Sequence, residues 1–252
     1  MHVLIGDIGN TTTKICLIEI NTFKIKKIIY FNSNKISSKR FLNSRLKKII
    51  KSKSISKVAL FSSVVPKYQF ILKKFLKKIY KIKLREIKEK GINKIVKINI
   101  KNKNQVGSDR IANSVGAYKK YKANCIVLDF GTATTFDVIK GGVYLGGIIA
   151  PGINLSLRTL SSGAEQIPVF TLKKTIKVIG NNTISALRSG FYWGYAGLIE
   201  NILKLIKKQT KTNYKIILTG GFASLFKNSI KTKVFVDKDI TMKGLTRLLK
   251  IY

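Results

Sequence analysis

Apolar residues fall in three short runs at the start of the chain, residues 2–5, 15–20 and 25–31, with turn-forming residues between them. That pattern predicts three strands. Leu42, Leu46, Ile49 and Ile50 then recur at helical spacing against lysines, which predicts a helix over 41–51. Residues 57–65 read as a buried strand ending at Pro66, and 68–80 as a second amphipathic helix. A basic stretch over 81–94 is expected to be weakly ordered. A short strand over 94–100, the polar loop KNKNQVGSDR and a helix over 110–121 follow.

At Asn124 the pattern restarts. CIVLDF predicts a strand, GTATT a turn, and FDVIK and VYLGGIIA two further strands. PGINLSLRTL follows with no element assigned to it. The periodicity then predicts a long helix over 183–208, a strand over 215–218 running into TGG, and a helix from about Phe222. A short strand over 234–236 and a C-terminal helix ending near Lys250 complete the pattern. Strand, turn, strand, strand and then helices therefore occur twice, which is duplication at the scale of a whole domain. The reading is α/β, with one half over 1–123 and the other over 124–252, and a cleft between halves is a usual place for a ligand.

Composition changes the picture in two respects. The net charge of +38 invites a nucleic-acid or membrane-surface function, but the basic residues run along the whole chain, and only 7 of the 49 are arginine. Lysine, isoleucine and asparagine are what A+T-rich codons specify, and no stripe of basic and aromatic residues appears, so no specific nucleic-acid partner is expected. Such a surface still attracts anionic small molecules such as ATP and makes solubility sensitive to salt. No stretch approaches the ~18 uninterrupted apolar residues of a membrane span, and no secretory signal precedes the first strand. Cys16 and Cys125 each lie in an apolar run, as buried reduced thiols of a cytoplasmic protein would.

The chemistry is concentrated in two turns. DIGNTTT (7–13) and DFGTATT (129–135) share the skeleton Asp-x-Gly-x-x-Thr-Thr and occupy equivalent places in the two halves. In each, an aspartate ends a buried strand and a glycine lets backbone N–H groups approach a phosphate without a Cβ in the way. The threonines add neutral donors, and the carboxylate can hold a cation that bridges phosphate oxygens. One such turn alone reads as a hairpin with an Asx-turn; two at matching places favour a phosphate site.

With the glycine pair of LTGG (218–221), these turns resemble the acetate and sugar kinase, Hsp70 and actin superfamily. Within it, the ordered set DIGNTTTK, SSVVP, GSDRIAN, LDFGTATTFDVI, GGIIAPGINLS, NTISALRSG and LTGGFA resembles the type III pantothenate kinases over nearly the whole chain. The resemblance implies two ribonuclease H-like halves with an ATP cleft between them, and transfer of the ATP γ-phosphoryl group to pantothenate, the first step toward coenzyme A. It implies that Asp7, Ile8, Gly9, Asn10, Thr11, Thr12, Thr13 and Lys14 form the first phosphate loop, with Asp7 near Mg²⁺, and that Thr132 belongs to the second. Asp129 would bind the monovalent cation, K⁺ or NH₄⁺. Gly107, Ser108, Asp109, Arg110 and Thr183 would contact pantothenate, with Asp109 the general base, and the protein would be a homodimer. Ser108 or Asp109 also fits an N-cap of the helix that follows, a role compatible with catalysis. Arg110 could otherwise be a surface helix arginine, but its place directly after the Gly-Ser-Asp turn favours the site.

One departure from the family pattern stands out. The family commonly carries a tyrosine and then asparagine-proline before Gly-x-Asp-Arg, where this chain has Ile100 and Lys103. The loss of proline's fixed φ loosens that loop, and weakened activity is one consequence to expect. The competing reading from another class is a nucleotide-binding accessory or regulatory protein that keeps the fold without the chemistry.

Overall fold

The structure, a computed structural model, describes residues 1–50, 54–89 and 96–250. They form two compact units, one from the described residues of Met1–Lys120, Gly142–Tyr144 and Asp239–Tyr252, the other from Tyr121–Gly141 and Leu145–Lys238.

In the first unit β1 (His2–Ile8), β2 (Thr12–Glu19) and β3 (Ile25–Asn32) form an antiparallel meander. Helix α1 (Lys39–Lys47) leads to β4 (Val58–Ser63), and α2 (Pro66–Phe75) with a π-helical turn over Leu76–Tyr80 leads to β5 (Lys83–Glu86). The sheet order is β3-β2-β1-β4-β5, with β4 parallel to β1 and β5 parallel to β4. β1 is central and carries an unbroken apolar run because both its faces are covered; Val3, Leu4, Ile5 and Ile8 are all buried. After β6 (Lys97–Ile98) comes α3 (Ser108–Tyr121), whose Ile111, Ala112, Val115 and Ala117 are buried.

In the second unit β7 (Cys125–Phe130) pairs antiparallel with β8 (Ala133–Lys140), which neighbours β9 (Val143–Pro151). Two helices, α4 (Ile153–Gly163) and α5 (Thr183–Thr210), precede β10 (Lys215–Gly220), a short α6 (Ala223–Phe226) and β11 (Val234–Val236). β10 runs parallel to both β7 and β11. The order β9-β8-β7-β10-β11 repeats that of the first sheet element for element, so the duplication read from the sequence is a duplication of topology. β6 pairs in parallel with Val143 and Tyr144, the start of β9 that belongs to the first unit. The last helix, α7 (Ile240–Leu249), belongs to the first unit. Among the described residues no helix is long and apolar enough to cross a membrane.

Two local expectations need correction. Most of the basic stretch over 81–94 is ordered: β5 pairs with β4 from Val58 to Phe61, and a 3-10 turn follows over Ile87–Glu89. Ile82, Leu84 and Glu86 alternate inward while Lys81 and Lys83 face water, a strand period hidden beneath lysines. Residues 90–95 lie outside the described residues, as does the start of the strand expected over 94–100, of which Lys97–Ile98 pairs. The unassigned PGINLSLRTL segment forms most of α4, which buries Ile153 and Leu157.

Candidate active site

The first turn is narrower than its motif. β1 continues through Asp7 and Ile8 and β2 starts at Thr12, so residues 9–11 make the connection, closed by the Gly9 N–H donating to the Thr12 carbonyl at 3.1 Å. Ser33 clips it from the end of β3. Its N–H donates to the Thr11 carbonyl at 2.9 Å, its hydroxyl donates to the Gly9 carbonyl at 2.6 Å, and that hydroxyl also lies 2.8 Å from the Thr13 hydroxyl. Thr13, Ser33 and Ile8 are fully buried, whereas Asn10, Thr11 and Thr12 are exposed. Of the eight residues expected in this loop, Ile8 and Thr13 therefore face inward and support it, while residues 10–12 are exposed.

Asp7 stands opposite Lys14 in the antiparallel ladder and beside Ser62 in the parallel one, and the Ser62 hydroxyl donates to its carboxylate. Lys14 is only 13% exposed and donates to Asp239, the residue before α7, at 2.5 Å. Its ammonium also lies 5.1 Å from the centre of the Tyr30 ring. Burial works against the Lys14 charge, but hydrogen bonds and charges from Asp239 and Tyr30 outweigh it and raise the pKa above the usual lysine value.

The carboxyl ends of β1, β4 and β5 carry Asp7, Ser62–Ser63 and Glu86, the end of a parallel arrangement at which ligands commonly bind. Glu86 accepts the Lys88 N–H at 2.7 Å and is hydrogen-bonded by Ser108. Burial pushes its carboxyl above the usual range despite those bonds. Ser63, Gln69, Glu86, Lys88, Glu89 and Ser108 line a recess of about 370 Å³. Helix α3 starts at Ser108, so Ser108 and Asp109 occupy its first turn. The Asp109 carboxylate accepts the Arg110 N–H at 2.8 Å. Burial nevertheless raises the Asp109 pKa, with the Arg110 N–H and the charges of Arg110 and Lys88 pulling the other way. A Cβ at Gly107 would displace this carboxylate from its present position.

In the second unit residues 131–132 connect β7 to β8, and the Gly131 N–H donates to the Ala133 carbonyl at 3.1 Å. Thr132 is exposed. Asp129 pairs in the ladder with Thr219, and Gly220 follows at φ +82, a conformation suited to glycine. A side chain there would meet the Asp129 carboxylate and the Phe130 carbonyl. Asp137 is fully buried on β8. Thr183 is the exposed first residue of α5, held by a capping box between Asn182 and Ser185. Ser33, Ser62 and Asp239 were missed as contributors. SSVVP signalled Ser62, while the other two lie 24 and 225 positions from their partners.

Two sheets of one order, each with an Asp-x-Gly turn at the end of its central strand, define a protein of the actin and sugar kinase-like fold. Solved structures agree on the fold. A protein described as a conserved Baf family transcriptional activator from Campylobacter jejuni superposes with a TM-score of 0.64 at 21% identity, covering 99% of this chain and 98% of its own. The inorganic polyphosphate/ATP-glucomannokinase of an Arthrobacter species does so at 0.51 and 9% identity, covering 100% and 99%. The sequence is more specific. The model of the type III pantothenate kinase family matches residues 3–205. A type III pantothenate kinase from Pelagibacter ubique is 56% identical over 245 residues, 97% of each chain. This chain belongs to the type III pantothenate kinase family.

Proposed function

We propose that the protein transfers the γ-phosphoryl group of ATP to the primary hydroxyl of pantothenate, giving 4'-phosphopantothenate for coenzyme A synthesis. Family membership supports the reaction. The observation that carries the assignment of roles is the Asp109 carboxyl, raised by burial in the first turn of α3 and followed directly by Arg110. A carboxylate of raised basicity is a better acceptor for the hydroxyl proton as the bond to phosphorus forms. Arg110 suits the pantothenate carboxylate through a two-pronged hydrogen bond, and Gly107, Ser108 and Thr183 complete the acceptor contacts.

Phosphoryl transfer depends on positioning and charge neutralisation. The exposed residues 10–12, with the backbone of residues 8–9 and Lys14, fit the phosphates of ATP, and Thr132 fits them from the second turn. The Asp7 carboxylate, steadied by Ser62, is a hard oxygen donor of the kind that holds Mg²⁺ together with substrate phosphates. Asp129, close to the Gly220 backbone, offers oxygen donors suited to K⁺ or NH₄⁺. Bound there, these cations would neutralise phosphate charge.

The reading extends to a cytoplasmic homodimer divided at about residue 123. Val169, Ile176, Val178 and Ile179 are 66–89% exposed along one irregular segment before α5, with Ile149 at 65% and Leu155 at 51% nearby in sequence. Such apolar exposure is what a partner surface covers. Cys16 and Cys125 are free and buried, their thiols pushed up to about 12 and about 11, as inert reduced thiols would be.

The test is product identification by mass spectrometry after incubation with ATP, Mg²⁺ and K⁺ and a panel of pantothenate, hexoses and acetate. Phosphorylated pantothenate as the main product supports the proposal. A phosphorylated sugar or acetate, or ATP binding with no product, rejects it.

A further inference from the structure

We infer that Asp239 is a positioning residue for nucleotide binding, holding the Lys14 ammonium at the phosphate loop from the start of the last helix. This rests on the reading of Lys14 as a phosphate contact.

Lysine carries its charge on a flexible four-carbon stem, so a fixed direction needs a partner. Lys14 has two, Asp239 at 2.5 Å and the Tyr30 ring at 5.1 Å. Asp239 is placed to start α7, yet its side chain makes no capping hydrogen bond to the N–H groups of that helix. It is turned instead onto Lys14, 225 positions earlier in the chain. A residue in the cap position that forgoes its cap for an ion pair is arranged for the pair.

The helix behind Asp239 is closely packed. Thr241, two residues on, donates to the Asn113 side chain at 2.6 Å, and a Cβ on Gly244 would run into the Ala112 carbonyl. Helix α7 is thereby packed backbone to backbone on α3, the helix that begins at Ser108 and Asp109. One end of α7 holds Lys14 and its body is keyed to the helix of the proposed base.

Asp239→Asn tests this cleanly, because it removes the charge at nearly constant shape and the Asp239 side chain makes no capping hydrogen bond that the change could break. Titration calorimetry with MgATP reads binding without any acceptor. Losing a charge-assisted hydrogen bond should weaken the ATP Kd by about tenfold. Asp239→Glu, which keeps the charge, should recover part of that loss. In turnover assays the KM for ATP should rise while the KM for pantothenate stays within about twofold of the parent. An unchanged ATP Kd in Asp239→Asn overturns the inference, as does an equal rise of both KM values with a fall in Tm, the mark of a general structural defect. If the parent turns over no pantothenate yet Asp239→Asn still weakens ATP, the proposed reaction falls and the role of Asp239 stands.

Discussion

The Ser62 hydroxyl donates a hydrogen bond to the Asp7 carboxylate across the parallel β1–β4 pair. Ser62 is fully buried, and the bond fixes one carboxylate oxygen of Asp7. Ser62→Ala should cost about 1 kcal/mol of stability. It should also raise the concentration of MgATP needed for half-maximal rate. Thermal unfolding and the KM for MgATP measure the two effects, and an unaltered KM would remove Ser62 from the site.

Asp109, the proposed base, links the proposed function to stability. Its folded-state pKa is raised, so only between the ordinary aspartate value of about 3.9 and the folded value does the native state hold a proton that the unfolded chain has released, and stability falls as pH rises through that window. At neutral pH the charged form is therefore a net cost. Asp109→Asn keeps an acceptor for the Arg110 N–H and should raise Tm at pH 7 while lowering turnover by about a hundredfold or more. ATP affinity should be unchanged. A variant that is no more stable contradicts the raised pKa, and one that turns over normally contradicts the base assignment.

The same direction sets the pH profile. A base must be deprotonated to act, so the acidic limb of kcat/KM for pantothenate should lie above about 3.9. A limb at or below that value would show that Asp109 is not the group being titrated.

How much of this was legible in the sequence depended on what each residue touches. The central strands β1 and β7 were visible because both faces are buried, giving the unbroken runs before Asp7 and in CIVLDF. Val234–Val236 and the start of α5 at Thr183 appear where periodicity put them. β5 was masked because Lys81, Lys83 and Arg85 alternate with the inward Ile82, Leu84 and Glu86. The duplication was legible as a repeated motif, and the sheet order gave it its topological meaning. The supports of the first turn were not legible. Ser33 and Asp239 act on Gly9 and Lys14 through contacts made only once the chain has folded. The packing of α7 on α3 depends on the lack of a side chain at Gly244, which no period announces.

That packing carries its own prediction. Gly244→Ala introduces a methyl group where the Ala112 carbonyl already sits, and overpacking of this kind costs about 1–3 kcal/mol. Helix propensity works in the opposite direction, since alanine is favoured over glycine by about 1 kcal/mol in a helix. A net fall in Tm therefore reports the close approach of the two helices, and a rise would show that α7 is not seated on α3 as described.

The central claim is that ATP is consumed because pantothenate accepts its phosphoryl group. Release of ADP by the purified protein with Mg²⁺ and K⁺, with pantothenate present and absent, tests it most directly. ADP release that depends on pantothenate and matches it mole for mole is the predicted result; equal release with and without pantothenate would contradict the account.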